Sequence, residues 1–312
     1  MKGLELSERY YTECAKAALE RDFAPYADKI AVGIAGEGSD CFGYDDEISQ
    51  DHDFEPGFCM WITPETEREI GFRLERFYAK LPKEFLGYKR APQSPVSDAR
   101  RGVIVIGDFY RRFLGCEGVP ESLRAWLNVP QRFLAAATNG KVFRDDLGTF
   151  SAIREELKKG YPEDVRRKKL AAHLLSMSQS GQYNYARCID HGETGAAQLA
   201  VHEFVRHTLQ AVHLLNNRYC PFYKWAYRSL RDLPILHDLE EPLIFLTESG
   251  NDKATASDKR EMIEDVAAVV LGEVKRQKLT EATCNNLDTH AYSVNYAITD
   301  SDLRNENILY GV

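Results

Sequence analysis

No stretch of this chain approaches the roughly 18 consecutive apolar residues that a bilayer span requires, so a membrane helix is not expected. The opening MKGLELSERYYTEC has one early Lys and then turns acidic and polar. It lacks the apolar centre of a secretory signal, which points to the cytoplasm. Cysteine is sparse: the seven are odd in number and scattered, and no two form a C-x-x-C pair. A disulfide framework or structural zinc site is therefore not expected, and reduced thiols are. Positive charge is not in excess either, since 40 Lys and Arg against 48 Asp and Glu leave −8. That balance argues against a long nucleic acid as partner. Internal repeats, low-complexity tracts, a G-x-x-x-x-G-K-[ST] loop and a G-x-S-x-G elbow are all missing. His202 and His207 are five apart, not the four that would put two imidazoles on one helix face, so they read as ordinary, partly buried histidines.

What is present is ordinary globular composition, 44% hydrophobic and 28% charged, over 312 residues, a length that suggests two domains. The first half alternates strands and helices. A helix is expected from Ser7, as N-cap, to Arg21. A buried strand over Ile30–Ala35 runs into Gly36-Glu37-Gly38-Ser39-Asp40, and a second strand centres on Phe58–Ile62. Thr63-Pro64-Glu65 starts a helix that runs to about Leu81: a cap residue, Pro in the first turn, then an acid at the positive helix end. Leu86–Arg101 reads as a loop, Val103–Ile106 as a third strand, and Phe109–Leu114 as a helix. After about Ser151 strand signals vanish, and helices are expected over Glu163–Ser180, Glu193–Arg218, Phe222–Leu230 and Ser257–Lys278. The fold class is therefore α+β. An N-terminal mixed β-sheet with flanking helices spans residues 1–150, and a C-terminal α-helical bundle spans 151–312.

The chemistry concentrates between Gly36 and Ile62. A Gly-Ser step follows a buried strand, and Asp51 and Asp53 come later at i, i+2. On an extended strand that spacing puts both carboxylates on one face. Two adjacent carboxylates repel unless a cation lies between them. Mg²⁺ takes oxygen ligands and holds substrate phosphates beside one or two carboxylates. Gly38 lets backbone N–H groups approach a phosphate, and the Ser39 hydroxyl can donate to it. These parts suit a nucleoside triphosphate and two metal ions. The competing reading is an acidic surface loop, with Asp45-Asp46-Glu47 nearby as solvated charges.

The pattern resembles the signature of the nucleotidyltransferase superfamily, the polymerase-beta-like fold. In that signature, Gly followed by Gly or Ser precedes Asp-x-Asp on the next strand. Residue by residue, the resemblance makes Gly38 and Ser39 the phosphate-loop pair, with Asp40 beside them, and Asp51 and Asp53 the metal ligands. The string GSDCFGYDDEISQDHDF is similar to one branch, the family called domain of unknown function 4037, as are the Trp126-Leu127 region, Gly140-x-Val142-Phe143-x-Asp145, Ser180–Tyr185 and Tyr219–Trp225. Phe54-Glu55 stands where that branch usually has Trp-Gly, placing an extra acid beside the site. The resemblance implies a two-domain layout like that of kanamycin nucleotidyltransferase, and two Mg²⁺ ions. It implies transfer of a nucleoside monophosphate from a triphosphate, ATP on general abundance, to a small-molecule hydroxyl or a protein side chain. It also implies a third carboxylate. Asp108 is nearest, as third ligand, general base or simply a cap of the following helix, and Asp145 and Asp146 are weaker candidates. In the helical half Lys224 and Arg187 can neutralise the triphosphate and Tyr183 can stack on a base, or the three can be packing and solvated surface. Arg166-Arg167-Lys168-Lys169 reads as a solvated helix face. The alternative function is a non-catalytic nucleotide-binding regulatory or antitoxin-like module on the same fold.

Overall fold

A computed structural model describes residues 1–51, 54–90 and 100–312, with the side chains of residues 50 and 51 outside the description. The chain divides into two compact units, residues 1–120 with 133–159, and residues 121–132 with 160–312.

The first unit is built on a four-stranded mixed sheet in the order β5-β2-β1-β6, formed by β1 Ala31–Ile34, β2 Cys59–Ile62, β5 Gly102–Val105 and β6 Lys141–Arg144. β1 runs antiparallel to β2 and β6, while β2 and β5 are parallel. Parallel pairing needs a crossover, and α4 (Pro64–Lys80) supplies it. Thr63 caps that helix, its Oγ1 accepting from Thr66 N at 3.3 Å. A two-stranded hairpin, β3 Glu84–Phe85 and β4 Tyr88–Lys89, lies within the segment expected to be partly loop.

Gly33 has to be glycine: a Cβ there would stand 2.4 Å from Lys141 O across the bulged β1–β6 pairing. Alternation along β2 sorts the core. Met60 and Ile62 join Tyr10, Phe58, Leu74 and Tyr78 on one side. Trp61 points to the other, stacked on Phe150 of α8 (Thr149–Lys158) at 3.8 Å between centroids and edge-on to Phe109 of α5 (Ile106–Leu114). Such aromatic pairs contribute about 0.5–1.5 kcal/mol each beyond area burial.

The N-terminal helix departs from expectation. α1 spans Gly3–Tyr10, a π-helical turn covers Tyr11–Ala15, and α2 spans Lys16–Asp22. Ser7 is buried inside α1, not its cap. Asp45, expected to be solvated, is 1% exposed, and its Oδ2 accepts from Gly3 N at 2.8 Å. That distant carboxylate does for α1 what an N-cap side chain does elsewhere.

Among the described residues of the second unit there is no strand. It contains α6 (Leu123–Leu127), the start of α7 (Gln131–Thr138), α9 (Glu163–Met177), α10 (Ala186–Asp190), α11 (Thr194–Leu215), α12 (Tyr223–Arg231), α13 (Glu240–Glu248), α14 (Lys253–Arg276), α15 (Leu287–Tyr296) and α16 (Ser301–Asn305). A π-helical segment, Ser178–Tyr185, continues α9, and a Cβ on its Gly181 would stand 2.3 Å from the Phe204 ring of α11. Lys168 and Lys169, expected on a solvated face, are 0% and 2% exposed. No helix among the described residues is long and apolar enough to cross a membrane.

Candidate active site

β1 ends at Ile34, and Ala35–Gly38 lead into a four-residue helix, α3 (Ser39–Phe42). The turn is glycine by necessity. Gly36 and Gly38 have φ of +117° and +130°, and a Cβ on Gly38 would stand 2.3 Å from Asp40 Oδ1 and 2.4 Å from the Arg100 guanidinium. Asn139 clamps the turn with both ends of its amide, accepting from Gly36 N at 2.9 Å and donating to Gly36 O at 2.8 Å. Gly140 N then donates to Cys41 O at 2.9 Å. The backbone is thus fixed before any ligand arrives. The N–H of Gly38 reaches no acceptor among the described residues, and neither does the Ser39 hydroxyl.

Asp40 is engaged within the protein. It is 8% exposed, its Oδ2 pairs with Arg101 at 2.5 Å, and its Oδ1 accepts from Cys41 N at 2.8 Å. Burial pushes the thiol of Cys41 up to about 12 and raises that of Cys59, so neither is a thiolate nucleophile at neutral pH. All seven cysteines are free.

Beside the turn, β5, α4 and α5 enclose a cleft of about 320 Å³. Arg100, Arg101 and Arg112 line it, and so do Glu37, Glu67, Glu75 and Asp108. Arg112 pairs with Glu37 at 2.8 Å. These arginines escaped the sequence reading. Arg100 and Arg101 fall at the end of an expected loop, and only the β2–β5 pairing carries them to the glycine turn.

Asp51 closes a short 3₁₀ turn, Ile48–Asp51, whereas β2 begins at Cys59, so Asp51 is not on the strand where it was expected. Asp53 lies outside the described residues. Asp108 is not on a strand, nor is it the helix cap: it stands in the first turn of α5, whose cap is Val105, and pairs with Arg111. Asp145 accepts from Ser151 N at 2.7 Å, and Asp146 pairs with Arg144. In the second unit, Tyr183 is exposed on the π-helical segment with Arg187 over its ring at 5.2 Å. Lys224, on α12, lies 4.4 Å over the ring of Trp225.

The profile of a family described as a domain of unknown function, DUF4037, matches residues 126–226. The matched stretch includes Tyr183, Arg187 and Lys224, but not the glycine turn, Asp51 or Asp53. Among solved structures, the chain is similar to a nucleotidyltransferase-like protein from Exiguobacterium sibiricum 255-15, at 14% identity over 90% of this chain and 89% of that one, with a TM-score of 0.35. No curated protein matches.

Chemically, the first unit offers a pinned glycine turn whose Gly38 N–H and Ser39 hydroxyl are unspent among the described residues, next to a cleft in which Arg100, Arg101 and Arg112 stand among four carboxylates. The N–H and hydroxyl of the turn suit the oxygens of an anion. Among the described residues, no three His, Cys, Asp or Glu stand together as a metal site.

Proposed function

We propose that this chain is a Mg²⁺-dependent nucleotidyltransferase. It transfers a nucleoside monophosphate from a nucleoside triphosphate, ATP in the first instance, to a small-molecule hydroxyl or a protein side chain. The observation that carries the reading is the glycine turn after β1, held open by Asn139 and followed by Asp-x-Asp in the connection to the neighbouring strand. Gly38 N–H and the Ser39 hydroxyl bind triphosphate oxygens. Asp40 positions the turn through its pairing with Arg101.

The ligand set for Mg²⁺ in this proposal is Asp51 and Asp53, completed by phosphate oxygens; two carboxylates with substrate oxygens suit that hard ion. When bound, Mg²⁺ neutralises charge on the triphosphate and on the departing pyrophosphate. The acceptor oxygen attacks the α-phosphorus in line. A phosphorus–oxygen bond forms, the bond to the oxygen bridging the β-phosphorus breaks, and pyrophosphate leaves with the electron pair. The acceptor proton passes to a carboxylate, for which Asp108 is the candidate.

A second reading, nucleotide binding without transfer in a regulatory or antitoxin-like module, has one observation in its favour. β5 reads Gly-Val-Ile-Val and presents no carboxylate, and Asp108 is tied to Arg111. The deciding experiment measures pyrophosphate release from each ribonucleoside triphosphate with Mg²⁺. Acceptors are aminoglycosides, free sugars and the protein itself, the last read by α-phosphate label. Transfer predicts release with at least one acceptor and its loss in Asp51→Asn/Asp53→Asn. Metal-dependent binding with no release for any acceptor supports the second reading instead.

A further inference from the structure

The second unit contains a cavity of about 490 Å³, within the usual range of small-molecule sites. Its walls come from α6, α7, α9, α11, α12 and the segment Gly311–Val312. Arg132, Lys169, His173 and Arg206 line it, and no Asp or Glu side chain does, in a chain whose net charge is −8. Leu127, Pro130, Leu209, Phe222 and Tyr223 give it an apolar body.

Lys169 and His173 are four apart on α9 and share one face. Lys169 is 2% exposed. Its Nζ donates to Gly311 O at 2.8 Å and lies 5.3 Å from the Tyr161 ring centre, and it has no ion-pair partner among the described residues. An ammonium has three donors, so two are left over.

His173, 4% exposed, shares a 2.8 Å Nδ1–Nδ1 hydrogen bond with His207, whose Nε2 is 2.8 Å from Arg206. The same Nε2 lies 3.4 Å from Glu203 Oε2, which also pairs with Arg206 at 2.7 Å, so these contacts are met by either tautomer of the His207–His173 pair. Burial keeps both imidazoles neutral at pH 7. The cavity thus holds a buried ammonium with two donors left over and no carboxylate lining the cavity to match its charge.

We propose that this cavity is a binding site for an organic anion, a carboxylate or phosphate monoester on a flat apolar body, with its oxygens on Lys169. The site lies wholly in the second unit and stands independently of the transferase reading.

The test is titration calorimetry of the full chain with 1-naphthyl phosphate, 1-naphthoate and the neutral 1-naphthalenemethanol. One or both anions should bind at one site per chain, which also tells phosphate from carboxylate, while the alcohol binds at least about tenfold more weakly. Lys169→Met should weaken the anion by about tenfold or more. Asp51→Asn/Asp53→Asn should leave it unchanged. Equal binding of anion and alcohol, no binding of either anion, or undiminished anion binding in a folded Lys169→Met chain would overturn the proposal.

Discussion

Burial holds the imidazoles of His173, His207 and His213 below their ordinary range, the last two at about 4. An unfolded histidine takes its proton near pH 6.5. Between those values the unfolded chain binds more protons than the folded one, so stability falls as pH drops from about 6.5 toward 4. For His213 alone, wedged between Leu209 O and Ser229 Oγ, the loss from pH 7 to pH 5 should be about 2 kcal/mol. Urea unfolding at the two pH values measures it, and His213→Gln should flatten the slope; an unchanged slope contradicts the assignment. Lys169 behaves differently. Burial brings its ammonium down to about 8, so the charge it carries at pH 7 is held against the fold's preference. Lys169→Met should therefore raise stability by about 1–3 kcal/mol in the same experiment. Nothing local reveals this. Arg166-Arg167-Lys168-Lys169 reads as a solvated run, and the groups that bury it, Asn295 and Gly311, are more than a hundred residues away.

At the scale of elements, the start of α4 and the short apolar strands were legible locally, whereas the cap expected at Ser7 was not there. Thr63-Pro64-Glu65 places its own cap, and Thr63→Ala should cost about 1 kcal/mol, measured by thermal unfolding. β1, β2 and β5 show as short apolar runs between turn residues. The start of α1 does not, because its terminal N–H is satisfied by Asp45 from 42 residues away. β6 was missed, since Lys-Val-Phe-Arg is too short to show a period and pairs with β1 from more than 100 residues on. Asp51 was expected on a strand, but Pro56 and Gly57 break the chain before β2, leaving it in a 3₁₀ turn. The glycine turn was legible as a motif, while its clamp, Asn139, carried no signal. Gly38→Ala would force a side chain into the left-handed region against Asp40 and Arg100. It should lower stability by about 2 kcal/mol or more and weaken any ligand of the turn. A variant as stable as the parent would mean that the turn is not pinned.

At the scale of the whole molecule, the sequence showed a strand-containing unit followed by a helical one, because hydrophobic periodicity changes character along the chain. It did not show that residues 121–132 leave the first unit for the second and that α8 returns to the first. The helix α6 is too short to announce where it packs. Nor did it show the basic cavity, which five helices and residues 311–312 assemble from positions scattered along the chain. The central functional claim is that the glycine turn and the two aspartates bind a nucleoside triphosphate with Mg²⁺. Titration calorimetry of ATP into the wild type and Asp51→Asn/Asp53→Asn, each with and without Mg²⁺, tests it most directly. Saturable binding that requires Mg²⁺ and is lost in the double variant is the predicted result. Binding that survives the double substitution, or no binding of ATP or of any other ribonucleoside triphosphate with Mg²⁺ present, would contradict it.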